Sequence, residues 1–290
     1  MKPSWIKVKL PVGERYIEVR KILRRYDLHT VCEEAKCPNL GDCWSRGTAT
    51  FMILGDVCTR RCKFCAVKTG NPRGKVDKGE PERISKAVCE MNLKYVVITS
   101  VDRDDLPDGG AEEFAETVNM VKKRLPEVRV EVLIPDFGGS KEALGTLVNS
   151  SPEVIGHNLE TVERLTPDIR DKRAGYRRSL EVLKNVKALN NRIITKSGLM
   201  LGLGEEREEI LKTMEDMRAV DVDILTLGQY LRPTPKHLLV KRYITPEEFE
   251  EYKDIGINMG FKDVVAGPFV RSSYHAEESF FKAVKHLRDA

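Results

Sequence analysis

The sequence predicts an α/β protein, a complete or partial (β/α) barrel, and three observations predict it. Short apolar runs rich in Val and Ile recur from Thr48 onward, helix-like stretches lie between most of them, and polar, glycine-containing segments mostly follow the runs. Strands alternating with helices build a parallel sheet from βαβ units, and about six or seven such units make a whole or partial barrel. A doubly wound open sheet is the main alternative.

Residues 1–46 read as a polar, helix-forming extension in which Arg15–Tyr26 forms a helix with Ile17, Ile22 and Leu23 as its apolar face. The strands expected after it are Thr50–Leu54, Tyr95–Thr99, Arg129–Ile134, Val154–Gly156, Ile193–Leu201, Asp223–Leu227 and Asp263–Val265. The helices between them are Ile84–Met91, Ala111–Arg124, Ser179–Ala188, Glu205–Ala219 and Pro246–Met259. Segments 55–65, 100–110, 157–160, 202–206 and 228–235 follow strands, so in a βα barrel they gather at the face where active sites sit. This divides the chain into an N-terminal extension (1–46), a barrel (47–262) and a C-terminal segment (263–290).

At 290 residues and 41% apolar composition the chain can bury a core, which excludes global disorder. The 49 basic and 45 acidic residues leave a net charge of +4, too small to argue for a nucleic-acid partner. Met1–Leu10 lacks the apolar stretch of a signal peptide, and no apolar run approaches the ~20 residues of a membrane span. The expected location is the cytoplasm, where seven cysteines stay reduced.

Six of the seven cysteines form two triplets, Cys32-x4-Cys37-x5-Cys43 and Cys58-x3-Cys62-x2-Cys65. Thiolates are soft ligands for zinc or iron–sulfur clusters. Structural zinc takes four ligands, commonly in CxxC pairs, and unequal triplets do not fit that habit. They fit two 4Fe-4S cubanes, each with three irons held by cysteine. Cys89, within an expected helix, reads as a buried thiol.

The second triplet follows the first expected barrel strand, with Phe64 just before its last cysteine. In this it resembles the radical-SAM superfamily, whose fold is a partial βα barrel. The resemblance implies a cluster whose open iron is chelated by S-adenosylmethionine (SAM), and a 5′-deoxyadenosyl radical formed on one-electron reduction. Arg60, Arg61 and Lys63 either offset the cluster's charge or are ordinary solvated loop charges.

The first triplet with its surroundings, Cys32-Glu-Glu-Ala-Lys-Cys37-Pro-Asn-Leu-Gly-Asp-Cys43-Trp, resembles the lipoyl synthase family. The likeness continues through Thr48–Leu54, Gly55–Pro72, Thr99–Gly110, His157–Thr161, Thr195–Glu205, Leu227–Pro235 and Gly267–Ala276. It implies insertion of two sulfur atoms, at C6 and C8 of an octanoyl chain amide-linked to a lysine. The carrier is a lipoyl domain of a 2-oxoacid dehydrogenase or the glycine-cleavage H protein. Each C–H cleavage consumes one SAM, and the auxiliary cluster is the sulfur donor.

By the same resemblance Cys32, Cys37 and Cys43 hold that auxiliary cluster, Cys58, Cys62 and Cys65 hold the SAM-binding one, and Ser272 of Arg271-Ser272-Ser273-Tyr274 is the auxiliary cluster's fourth ligand. An electron donor such as ferredoxin or flavodoxin and a cluster-repair carrier are implied partners. A serine oxygen is a harder ligand than thiolate, which suits a corner that must release iron.

Around SAM, Asn158 and Glu160 are expected near the ribose and Arg173 and Lys196 near the carboxylate. The competing readings are a helix cap for Asn158 and solvated charge for Glu160 and Arg173. Asp102, Asp104 and Asp105 either line the barrel mouth or cap the next helix. His157, Tyr274 and His275 receive no chemistry. The rival functions are a methylthiotransferase-like radical-SAM enzyme and a non-catalytic metal-binding module.

Overall fold

A computed structural model describes residues 2–8 and 12–289, with the side chains of 287–289 left aside. Met1, Lys9 and Leu10, part of the stretch read above for a signal peptide, lie outside the described residues. Two compact units divide the chain, one of Val8–Arg61 and Cys65–Glu153, the other of Met1–Lys7, Cys62–Phe64 and Val154–Ala290.

In the first unit β1 (His29–Thr30) runs antiparallel to β2 (Thr50–Ile53). A two-residue pair, β3 (Val57–Cys58) and β4 (Lys68–Thr69), follows. Then β5 (Tyr95–Ser100) lies parallel to β2, with Thr50 opposite Val97, and β6 (Arg129–Leu133) parallel to β5. β2 is buried along its whole length and β5 along nearly all of it, which is why their sequences read as continuous apolar runs rather than alternating ones. Helix Ala111–Arg124 has the bounds expected from sequence, and it turns Phe114, Val118 and Val121 inward. Its first turn is capped by the Asp108 carboxylate, which accepts from the N–H groups of Gly110 (2.9 Å) and Glu112 (2.8 Å). The capping role considered for Asp102, Asp104 and Asp105 therefore falls to Asp108.

The second unit carries β7 (Val154–Gly156), β8 (Ile194–Leu201), β9 (Ile224–Gln229) and β10 (Asp263–Gly267), parallel throughout. Helices Tyr176–Leu189, Arg207–Arg218 and Pro246–Asn258 lie between them. Leu183, Leu201, Ile210, Met214, Leu225, Leu227 and Phe249 share one core cluster. Each unit thus shows the parallel βα order expected.

Three local readings change. The first helix spans Glu14–Arg25, and its buried face is Val19, Ile22 and Leu23, whereas Ile17 is 51% exposed. Positions 19, 22 and 23 recur at helical spacing, and Ile17 falls outside that stripe. Strand Thr50–Leu54 stops at Ile53, because Leu54 takes a left-handed conformation (φ 68°) that turns the chain away. Cys89, expected to be buried, is exposed. Helix Glu80–Glu90 buries Ile84, Ala87 and Val88, and Cys89 lies on the far side of its last turn.

Candidate active site

The first triplet stands on two short helices. Thr30 caps helix Val31–Glu34, its hydroxyl accepting from the Glu33 N–H, and this helix carries Cys32. The Cys37 N–H closes onto the Cys32 carbonyl at 3.0 Å. Helix Leu40–Ser45 carries Cys43, whose N–H donates to the Asn39 carbonyl at 2.8 Å. Trp44 is buried on the same helix and stacks on Tyr16 at 5.2 Å, which ties the helix to Glu14–Arg25.

The three thiols act on one another. Burial, then Cys37, pushes Cys32 up to about 12, and burial, then Cys37, also raises Cys43. The Trp44 indole N–H is buried without a hydrogen bond of normal geometry, close enough to Cys32 to lower its thiol.

In the second triplet, Cys58 ends β3. Its Sγ lies 3.8 Å from Asp102 Oδ2 and accepts the Arg60 N–H at 3.4 Å. Burial first, then the Asp102 charge, pushes this thiol up to about 12, with Cys65 contributing in the same direction. Thr59 donates to Asp104 Oδ2 (2.6 Å) and to the Asp102 carbonyl (3.0 Å). In the second unit, Cys62 Sγ accepts from the Asp171 N–H at 3.3 Å, and the Lys63 N–H donates to the Ile169 carbonyl at 2.8 Å. Phe64 packs against Ile169, Leu203 and Tyr230.

Among the described residues no three His, Cys, Asp or Glu side chains converge tightly enough for a single metal ion. A cubane spreads its cysteines over separate irons, and its sulfur atoms accept hydrogen bonds. Mutually coupled thiols beside an orphaned indole N–H fit such a group. Metal coordination removes the proton that burial otherwise favours on Cys32, Cys43 and Cys58.

Asn158 and Glu160 follow β7. Asn158 Nδ2 donates to Glu160 Oε1 at 3.1 Å, and its Oδ1 accepts from the Ser272 hydroxyl at 2.9 Å. The structure therefore brings together three residues singled out separately from the sequence. Asn158 is no helix cap: the short helical turn that follows begins after Val162. Gly198 on β8 makes room, since a Cβ there would stand 2.4 Å from Thr226 Oγ1 and 3.2 Å from Asn158 Oδ1. Gly228 does the same for the serine segment, because its Cβ would meet the Val270 carbonyl at 2.1 Å.

Arg173 is half-exposed, yet it does not stand alone. It pairs with Asp171 at 2.8 Å, next to the N–H that serves Cys62. Lys196 is buried on β8, where an ammonium needs a partner. His157 bonds Ser179 at 2.9 Å, and His275 bonds Glu278 at 2.5 Å.

Arg60 departs from its expected role. Burial alone would lower its pKa, but hydrogen bonds to Asp136 and Asp104 and the Asp102 charge push it above its ordinary value. Its charge answers these carboxylates. Asp136, Asp171 and Trp44 were not read from the sequence as site residues: nothing local marks the two aspartates as neighbours of the cysteines, and Trp44, next to Cys43, was given no role.

Residues 52–217, more than half of the chain, match the Radical SAM superfamily. The methylornithine synthase PylB structure superposes with a TM-score of 0.58 at 14% identity, covering 84% of this chain and 73% of that one. The FeFe-hydrogenase maturase HydG from Carboxydothermus hydrogenoformans gives 0.59 at 11%, covering 92% and 69%. Fold and cysteine loop thus define a radical SAM protein.

Residues 1–37 match the N-terminal domain of lipoyl synthase of the radical SAM family. The lipoyl synthase of Thermus thermophilus is 58% identical over 284 residues, 98% of this chain and 88% of that one. That of Pyrobaculum aerophilum is 57% identical over 291 residues, 99% of each. The chain belongs to the lipoyl synthase family.

Proposed function

We infer that this protein inserts sulfur at C6 and C8 of an octanoyl chain carried on a protein lysine, and so makes the lipoyl group. The observation that carries the reading is the pair of cysteine triplets within a chain 57% identical, end to end, to a lipoyl synthase. Cys58, Cys62 and Cys65 hold the SAM-binding 4Fe-4S cluster, and Cys32, Cys37, Cys43 and Ser272 hold the auxiliary 4Fe-4S cluster, which is the sulfur-donating substrate. With SAM bound and one electron supplied, the SAM-binding cluster would supply the 5′-deoxyadenosyl radical chemistry that removes hydrogen, once per SAM and twice per lipoyl group.

The chain's own residues bind and orient. Glu160, fixed by Asn158, accepts the ribose hydroxyls, and Arg173 and Lys196 face the SAM carboxylate. The Ser272 hydroxyl, held by Asn158, supplies the hard fourth ligand. Residues 1–46 supply the auxiliary cysteines, 47–262 the radical-SAM barrel, and 263–290 the serine.

The protein substrate is an octanoylated lipoyl domain of a 2-oxoacid dehydrogenase or the glycine-cleavage H protein. The electron donor is of ferredoxin or flavodoxin type, and a cluster-repair carrier restores the spent cluster. The proposed location is the reducing cytoplasm, and among the described residues no disulfide joins the cysteines. Among the described residues no helix is long and apolar enough to cross a membrane.

The test is anaerobic reconstitution followed by mass analysis of an octanoyl-lysine peptide incubated with SAM and reductant. The expected product carries two added sulfurs. Peptide returned unchanged while SAM is cleaved would reject the substrate assignment.

A further inference from the structure

From Gly55 to Cys65 every residue is at least partly exposed except Arg60. Its guanidinium, 4% exposed, turns into the first unit, with Nε also 3.3 Å from Asp102, the carboxylate beside Cys58 Sγ. One edge forks onto Asp136 at 3.0 and 2.6 Å, and the Nε edge onto Asp104 at 3.1 and 2.9 Å. Asp104 follows β5, and Asp136, wholly buried, follows β6. The backbone of the same residue is held on both sides: its N–H points at Cys58 Sγ (3.4 Å) and its carbonyl accepts from Thr69 on β4 (3.3 Å).

A second buried arginine works in the opposite direction. Arg103 pairs with Asp105 at 2.8 Å and donates to the carbonyls of Leu54 (3.2 Å) and Lys75 (2.8 Å), while Asp105 accepts the Gly74 N–H at 2.7 Å. Arg103 and Asp105 thus clamp the two feet of the cysteine loop, and Arg60 anchors its middle to β5 and β6.

We infer that Arg60 is a positioning residue for the SAM-dependent step: its guanidinium, forked between Asp104 and Asp136, holds the Cys58–Arg60 backbone so that Cys58 Sγ stays where its iron is bound. A planar fork with donors on two edges can serve two carboxylates in fixed directions, which a lysine ammonium cannot. Partners one step removed from a metal ligand fix its orientation in this way. The inference rests on Cys58, Cys62 and Cys65 holding the SAM-binding cluster.

The test uses the full chain. Arg60→Gln alone strands a buried Asp136 carboxylate, so the informative variant is the double change Arg60→Gln with Asp136→Asn, which removes both charges together. After anaerobic reconstitution it is expected to keep the about four irons of the first triplet, and to lose the SAM-induced change in the electron paramagnetic resonance spectrum of the reduced second cluster. SAM cleavage should fall at least about tenfold. Arg60→Lys, which keeps the charge without the fork, should show the same spectroscopic loss.

A SAM-induced spectral change as in the parent protein, in either variant, would overturn the inference. So would loss of both clusters together, which would make Arg60 a general core residue. A SAM-responsive spectrum that survives Cys58→Ala, Cys62→Ala and Cys65→Ala combined would instead show the cluster assignment to be at fault, whatever Arg60 does.

Discussion

Cys32 sits on a short helix beside a buried indole, whereas Cys58 ends a two-residue strand beside a carboxylate. The first triplet is held by helix packing, Trp44 on Tyr16 and the turn joining Cys32 to Cys37. Around Cys58 the hold is polar: Thr59 and Arg60 are bonded to three aspartates that follow β5 and β6. Polar forks onto buried strands fix a geometry that must survive every turnover. Helix packing around the first triplet suits the cluster proposed to be assembled and then consumed. The contrast supports a division of labour, one triplet for radical generation and the other for sulfur supply.

The largest expected effect breaks the polar side. Replacing Cys58, Cys62 and Cys65 with Ala should lower the iron of reconstituted protein from about eight to about four per chain. It should also abolish 5′-deoxyadenosine formation, read by chromatography. Deoxyadenosine from this variant would mean that the two roles are reversed.

Breaking the other side should separate the two outputs. With Cys32, Cys37 and Cys43 replaced by Ala, SAM should still be cleaved, while no sulfur-bearing peptide appears by mass spectrometry. Sulfur-bearing product from this variant, with no sulfide added, would rule out the donor role of the first triplet.

Ser272, proposed as the auxiliary cluster's fourth ligand, sharpens the comparison. Ser272→Cys should keep close to eight irons yet lose product, because thiolate grips iron more tightly than a hydroxyl oxygen does. Ser272→Ala should lose complete sulfur insertion, and Ser273→Ala should be milder. Normal turnover in Ser272→Ala with loss in Ser273→Ala would move the ligand to the second serine.

The sequence carried the regular elements well where the period ran over several turns. Helix Ala111–Arg124 is legible from its apolar stripe, from the two glycines before it and from the basic last turn. Helices Val31–Glu34 and Leu40–Ser45, with four and six residues, are too short for any period, so neither was delimited within the helix-forming extension. Its cysteines were legible as ligands all the same, from residue type and spacing.

What lay hidden was partnership across distance. Arg60 meets Asp136, 76 positions away, and Ser272 meets Asn158, 114 positions away. One-dimensional spacing shows neither. Arg60 accordingly read as a charge for the cluster, although its guanidinium faces carboxylates. Cys89 failed for a simpler reason: one position beyond Val88 on a helix is a turn of about 100°, enough to move from core to solvent.

A smaller effect bears on the base of the cysteine loop. Glu80 is buried and accepts the Leu54 N–H at 2.7 Å. Burial raises its carboxyl from 4.5 to about 7, despite the opposing Leu54 bond. A raised folded pKa means that protonation favours the fold. This contribution is fully present below about 4.5 and is lost as pH rises through about 7. The span corresponds to roughly 3 kcal/mol. Melting of cluster-free protein should therefore show a pH slope between 5 and 7 that Glu80→Gln flattens. Equal slopes in the two proteins would place the raised carboxyl elsewhere.

The division of labour is tested most directly by the origin of the product's sulfur. Protein is reconstituted with isotopically heavy sulfide, freed of excess, and given SAM, reductant, octanoyl-lysine peptide and light sulfide. Mass spectrometry should find both inserted sulfurs heavy and no more than about two lipoyl groups per chain, since each chain holds one sacrificial cluster of about four sulfides and each lipoyl group takes two. Product carrying light sulfur from the first turnover onward would contradict the account.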